Sequence, residues 1–397
     1  MKAAKLALLA LLLTLAVVPG RATAGAYMSK MFIEAFPPLY NRACADGVPK
    51  ILELGKQCFD GGLTAQARKC FQEVLLRTPN NVAANKYLGN VLVGKKWMTL
   101  AERDLLVKAD AGKNVLVGKT FVAPEAREEA LKPYREKTAW EFKEVHDLCP
   151  YFTLYFGGSY DDMWSVARLF ESIFMNHVLE FGDSVGTNSS PLEIYCFPDA
   201  TSMKDFAKQA GLAVKWDSAV DVKGRRMLCN LAPDTGTDRL DALTFSCARG
   251  ILASIGNAGT ATGYWTYVAF CWYFVLARDT SESVRIGYYR GCRPDLYSDA
   301  KAIATSGMFP NMDTLIELGP EPFDKAQNND LLAGSWAAFW LLNHEWQGMY
   351  KKGFQKYLKG ALRGKNDPGS LKRGVSWLQV QKTLYTWVTE MPDFGAK

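Results

Sequence analysis

The residue types that could do chemistry are few in this chain. It carries three histidines, His146, His177 and His344. A zinc-binding helix of the HExxH type needs two imidazoles one turn apart on one face, with a glutamate between them as general base. None of the three histidines stands within helical reach of another. His344-Glu345-Trp346-Gln347-Gly348 begins like such a motif but puts Gly348 where the second imidazole belongs, so a polar helix end is expected there. His146, beside Asp147, reads as a cap on a preceding helix, and His177 reads as part of an amphipathic helix. Cys247 could act with a histidine as a nucleophile, but nothing around it singles it out, and a buried thiol is expected. Asp234, Asp238 and Asp241 lack the ligand order and the glycine of a calcium loop and read as a capped helix start. Gly256-Asn257-Ala258-Gly259-Thr260 has no lysine after it and no strand before it, so it reads as a connection between helices rather than a phosphate cradle.

The nine cysteines form no CxxC or other metal-spaced pattern. Cys196, Cys229 and Cys271 lie inside apolar runs, where a free thiol behaves as a small hydrophobe. Mostly free, buried thiols are expected. The odd count leaves at least one unpaired in a monomer, and partners cannot be assigned from spacing.

The start of the chain reads as an export signal. Lys2 and Lys5 precede an apolar run from Leu6 to Val18, and Ala22-Thr23-Ala24 is a small-x-small cleavage site. Residues 1–24 are expected to be removed, which places the protein in the periplasm or outside the cell and allows disulfides. The run is too short to span about 30 Å of hydrocarbon comfortably. The next apolar candidate, Tyr264 to Ala277, is short and aromatic and reads as a core helix, so no membrane span is expected after cleavage. The precursor's net charge of +6 falls with the loss of Lys2, Lys5 and Arg21, and the dibasic pairs are scattered. No nucleic-acid partner is expected.

Residues 48–111 carry an internal period of about 34 residues. The first copy runs Leu54-Gly55, Gly62, Ala67, Phe71 and Pro79. The second runs Leu88-Gly89, Ala101 and Leu105, without an internal glycine or a closing proline. Glycine and alanine let paired helices approach, Phe71 fills the gap between them, and Pro79 with Asn80 and Asn81 ends one hairpin. This pattern resembles the tetratricopeptide repeat, which implies two stacked helical hairpins presenting a groove to a peptide or protein segment. Residues 25–47 lead in. An extended stretch over 114–122 and a charged helix from Pro124 to about Leu148, bent by Pro133, make 112–148 a connecting or capping segment.

From residue 149 the pattern changes. Strands are expected at 151–156, 191–197 and 226–232. Helices are expected at 161–181, 202–210, 238–255, 264–278, 311–318, 331–346, 351–363 and 375–389. A small sheet followed by a helical body makes the chain α+β and mainly helical. The order of elements, with Trp265, Tyr273 and Phe274 opening a second long helix, resembles the thermolysin-like zinc metallopeptidases called gluzincins. Ala333 to Leu342, Gly353 to Leu358 and Gly364 are similar to that group's closing helices. The resemblance implies a gluzincin-like domain over 149–397. It puts Val268 at the position of the third zinc ligand, Phe245 and Arg249 at the two histidine positions, and Ser246 at the catalytic glutamate. All four would be replaced, so it implies an inactive pseudopeptidase with no metal and no cofactor. Arg249, Trp265, Trp272 and Tyr273 are then candidates for lining a retained peptide cleft, Arg249 pairing with a carboxylate. The expected function is an exported, non-catalytic binding or scaffolding protein. Its rivals are a hydrolase using an unrecognised site in the same cleft and a structural part of an envelope assembly.

Overall fold

The computed structural model describes residues 36–390, apart from 61–63, 94–95, 101–102, 105–113, 150, 186–190, 234–237, 258, 260–262, 277, 281–282, 285–293, 325–328, 345–349, 364 and 373–376. The expected signal peptide, Gly62, Ala101 and Leu105 lie outside the described residues. The chain divides into two units at Pro79/Asn80.

In the first unit, helices α1 (Val48–Asp60) and α2 (Thr64–Arg77) pack against one another. Ile51, Leu54 and Cys58 of α1 meet Ala67, Cys70, Phe71 and Val74 of α2 in a buried seam. Gly55 is the point of closest approach: a Cβ there would stand 2.7 Å from Phe71 Cε1 and 3.0 Å from Cys70 Cβ. A helical stretch over 36–46 adds a third layer. From it the Tyr40 hydroxyl donates to Glu73 Oε2 at 3.3 Å, while Arg77 Nη1 donates to the Cys44 carbonyl at 2.7 Å. Pro79 is exposed just after α2.

Among the described residues, the chain after Leu88-Gly89 does not follow the second helical hairpin expected to reach Leu105. Helix α3 (Val82–Tyr87) is capped by Asn81, whose Oδ1 accepts from Ala84 N at 2.9 Å. It stops at Leu88 because Gly89 adopts φ +76, and Asn90 N returns to the Asn85 carbonyl at 2.9 Å. A glycine in the left-handed region ends a helix rather than admitting a neighbour. The β-branched and aromatic residues that follow form the antiparallel strands β1 (Val91–Val93) and β2 (Lys96–Met98). The extended stretch over 114–122 is a hairpin, β3 (Val115–Val117) and β4 (Thr120–Val122). The charged helix is also shorter than expected. Helix α4 (Arg127–Thr138) runs through Pro133 and ends at Ala139 in the left-handed region. The residues beyond it turn back as strand β5 (Glu144–His146), which joins the main sheet, so His146 is a buried strand residue and not a helix cap.

The second unit is built on a six-stranded mixed sheet in the order β5-β6-β7-β10-β9-β8. Strands β6 (Phe152–Phe156), β7 (Leu192–Phe197) and β10 (Arg226–Asn230) are parallel, and antiparallel strands flank them: β5 on one side, β9 (Ser218–Asp221) and β8 (Val214–Lys215) on the other. The central strands are almost continuously apolar because both faces are covered. Phe152, Leu154, Phe156, Leu192, Ile194, Cys196, Met227 and Cys229 face the larger core under α5 (Tyr160–Val185) and α7 (Arg239–Ser254). Tyr155, Tyr195, Phe197 and Leu228 face a smaller core with Leu131 of α4 and with Met203 and Ala207 of α6 (Ala200–Gln209). Helix α5 is also tied to the segment before the sheet. Arg103 Nη1 donates to both Glu171 oxygens at 2.5 and 2.6 Å, and both side chains are buried.

Beyond the sheet the chain is mainly helical: α8 (Tyr264–Leu276), α9 (Pro294–Thr305), α10 (Met312–Glu317), α11 (Glu321–Asp324), α12 (Asn329–His344), α13 (Lys351–Ala361), α14 (Pro368–Lys372) and α15 (Trp377–Glu390). The small hairpin β11 (Arg278–Thr280) with β12 (Ser283–Val284) follows α8. Helix α8 contains no charged residue and lies between α7 and α12. The chain is thus α+β and mainly helical. Among the described residues no helix is long and apolar enough to cross a membrane.

Candidate functional site

Helix α7 carries the positions that the peptidase resemblance singles out. Asp238 caps it, Oδ1 accepting from Leu240 N at 3.0 Å and Asp241 N at 3.1 Å, so this part of the aspartate cluster acts as a helix start. Gly250 sets the helix against the sheet, since a Cβ there would meet Met227 Sδ at 2.7 Å and Leu192 Cδ2 at 2.8 Å. Phe245 and Arg249, one turn apart, share another face, and the structure brings both against α8 and the β8–β9 hairpin.

Phe245 is buried between two tryptophans, its ring centroid 5.1 Å from that of Trp216 and 5.1 Å from that of Trp272. Arg249 is 4 % exposed. Its Nη1 donates to the carbonyls of Lys215 and Ser218, the latter at 3.3 Å, and to the Ser218 hydroxyl. Its Nε donates to the Tyr267 hydroxyl at 3.3 Å. The guanidinium also lies 5.5 Å from the centre of the Trp216 ring, a cation–π contact. Among the described residues Arg249 has no ion pair with a carboxylate. Ser246 donates its hydroxyl to the Ala242 carbonyl at 2.7 Å, within its own helix. Val268 is fully buried, one turn before Trp272 on α8.

The tip that reaches Arg249 has an unusual backbone. Trp216 and Asp217, the two residues between β8 and β9, take φ values of +52 and +54. Two successive left-handed residues match a two-residue hairpin turn, normally an Asn-Gly position, and a bulky side chain there is strained. Contacts hold it in place. Trp216 packs on Phe245 and, with rings 6.3 Å apart, on Tyr264. Lys215 Nζ stands 4.6 Å from the Trp216 ring centre and donates to the Tyr264 hydroxyl at 3.1 Å. Burial is the main cause that raises the Tyr267 phenol above its ordinary range, against the lowering effect of Arg249.

The expected lining of an open cleft needs correction. Trp265 and Tyr273 are core residues. Trp265 Nε1 donates to the Tyr357 hydroxyl of α13 at 3.3 Å, and the Tyr273 ring packs between Phe181 and Phe339. They are inaccessible because α8 is covered on more than one side. Arg249 is closed off by the hairpin tip. Only Trp272 of the four is half-buried, and Lys215 and Trp216 share that partial exposure. Lys215, Trp216, Ser218 and Tyr267 went unnoticed in the sequence. The one signal for them was the short pair of runs around Trp216-Asp217, which lacks the residues that usually mark such a turn.

The other candidates are structural in this fold. Cys247 is fully buried, and burial raises its thiol well above the ordinary value, which leaves no thiolate to attack. His146 and His177 are buried and held neutral by desolvation, pushed down to about 3 and about 4 respectively. Residues 345–349 lie outside the described residues. Among the described residues no three His, Cys, Asp or Glu side chains gather as a metal site would require. Comparison of the chain with protein-family models, with curated proteins and with solved structures gives no match in any of the three.

Proposed function

We propose that the chain is an exported, non-catalytic binding protein that holds a peptide or protein segment, and that its second unit is a metallopeptidase-like frame with side chains filling the metal position. The observation that carries this reading is the packed cluster of Phe245 and Arg249 with Trp216, Tyr267 and Trp272. A divalent cation needs lone pairs from several ligands at once. Phe245 offers carbon, Val268 is apolar, and Arg249 brings a positive charge whose Nη1 and Nε are already bonded to Lys215, Ser218 and Tyr267. The Ser246 hydroxyl, bonded within its own helix, is in no position to serve as a general base.

What supports holding over cutting is the rim. Trp272 and Trp216 are half-buried, and the Lys215 ammonium lies over the Trp216 face. Half-buried aromatics beside a cation suit an apolar side chain followed by a carboxylate. Two measurements test the proposal. Full-length protein incubated with a zinc salt and dialysed should retain no stoichiometric zinc by elemental analysis; one bound zinc per chain would overturn it. Peptides selected from a random display library should lose about tenfold in affinity on Trp272→Ala, the usual scale for truncating a central aromatic anchor. Unchanged affinity would remove this face from the reading.

A further inference from the structure

The sheet places two cysteines of the larger core opposite one another. Cys196 of β7 and Cys229 of β10 are register partners on adjacent parallel strands. Both are fully buried, and their sulfurs stand 3.1 Å apart, across a sequence separation of 33. Neighbouring strands run about 4.7–4.9 Å apart, inside the Cα window of roughly 4.4–6.8 Å that a disulfide accepts. Paired residues in register put their side chains on the same face, so joining the two free thiols in a bond of about 2.05 Å asks for side-chain movement and no slip of the ladder.

We infer that Cys196 and Cys229 form a disulfide that staples β7 to β10. The chemistry is thiol–disulfide exchange with an external disulfide. One cysteine thiolate attacks the external disulfide and expels one thiol. The second thiolate attacks the mixed disulfide, forming the Cys196–Cys229 bond and expelling the other thiol. Two electrons and two protons thereby pass to the external disulfide, which is reduced to two thiols. Because both sulfurs are sealed in the core once the sheet is covered, exchange takes place while α7 is still off the sheet, and the finished bond is shielded from reductant. Cys247 of α7 packs over the same face and is the nearest competitor. Cys58 and Cys70 form a separate thiol contact between α1 and α2.

The inference rests on export only for the source of oxidant, and the test supplies the oxidant itself. Full-length protein is reduced, unfolded and refolded with reduced and oxidised glutathione, alkylated under denaturing conditions and digested without reduction. The expected product is one peptide pair joining Cys196 to Cys229, lighter by two hydrogens than the separate peptides. Both cysteines recovered alkylated, or Cys196 joined to Cys247, would overturn the inference. As a second measurement, the urea midpoint of the oxidised protein should fall after unfolding in dithiothreitol. In the Cys196→Ala/Cys229→Ala variant the midpoint should ignore the reductant; a midpoint that still responds there as in the original chain counts against the pair. A link found in refolded protein and missing from protein recovered from cells speaks against export alone.

Discussion

Acidification should unfold this protein from within, and His146 should be the main reason. Its imidazole sits in β5, fully buried, edge-on to Trp164 at 5.1 Å and 6.2 Å from Phe152. Burial, and then the nearby Arg103 cation, push its pKa from 6.5 down to about 3. His177, buried against Phe270 and Phe181, is pushed down to about 4 by burial alone. The unfolded chain therefore takes up protons below pH 6.5 that the folded chain refuses, so stability is intact above that pH and drains away as pH falls through it. At 1.36 kcal/mol per pH unit the His146 gap amounts to about 5 kcal/mol by pH 3. By pH 5 each histidine should already have removed about 2 kcal/mol, a large share of a typical domain's stability. Urea unfolding followed by near-UV circular dichroism at pH 7.5 and pH 5 measures this. The original chain should lose about 2 kcal/mol more over that interval than His146→Phe, which keeps an aromatic ring and has no proton to gain. Glu171 and Glu144 have pKa values raised by burial, but they are present in both proteins and cancel in the difference. Equal losses in the two proteins would refute a buried, neutral His146.

Two substitutions test the packing that holds each unit together. Gly55→Ala should destabilise the first unit by about 1–3 kcal/mol, because the new methyl meets Phe71 and Cys70 and overpacking outweighs the gain in helix propensity. A rise in melting temperature would mean that α1 and α2 are not in close contact at Gly55. Glu171→Ala should cost the second unit about 1–3 kcal/mol by leaving the buried Arg103 Nη1 without its acceptor, while Asp104 still pairs with Nη2 at 3.0 Å. The double variant Arg103→Met/Glu171→Met should recover most of that loss in a denaturant titration, and a double variant as unstable as the single one would show that the charge is not what matters.

The parts of this fold that were legible in the sequence are those where one segment carries its own signal. Strands β6, β7 and β10 are mostly apolar runs, broken only by Thr153, Glu193, Arg226 and Asn230, as suits strands covered on both faces, and α5, α7 and α12 are long enough for their apolar content to identify them. The errors arose where one residue type has two uses. Leu88-Gly89 resembles Leu54-Gly55 in sequence, yet Gly55 admits a neighbouring helix and Gly89 ends its own at φ +76. Local composition does not separate the two; the β-branched run after Gly89 was the available clue. Strand β5 was absorbed into the charged helix before it, since three residues of mixed polarity give no alternation to read. The nearness of Cys196 and Cys229 was invisible for a different reason: register between strands 33 residues apart is a property of the assembled sheet.

Arg249 limits what the site around it can do. A guanidinium removed from water is tolerated only when its donors find acceptors, and here the acceptors come from two other elements, the β8–β9 hairpin and α8. Withdrawing Arg249 to meet a ligand carboxylate would take its donors from the Ser218 and Lys215 carbonyls and the Ser218 hydroxyl, leaving that hydroxyl and the Lys215 carbonyl only their mutual bond at 3.3 Å, at a cost of about 1–3 kcal/mol for each group left unsatisfied. It would also release the strained turn at Trp216 and Asp217, which those contacts hold in the left-handed region. A guanidinium committed in this way is a strut and not a receptor. In the proposed binding role the ligand is therefore met by the half-buried groups outside it, Lys215, Trp216 and Trp272, and Arg249 contributes by fixing where that rim stands.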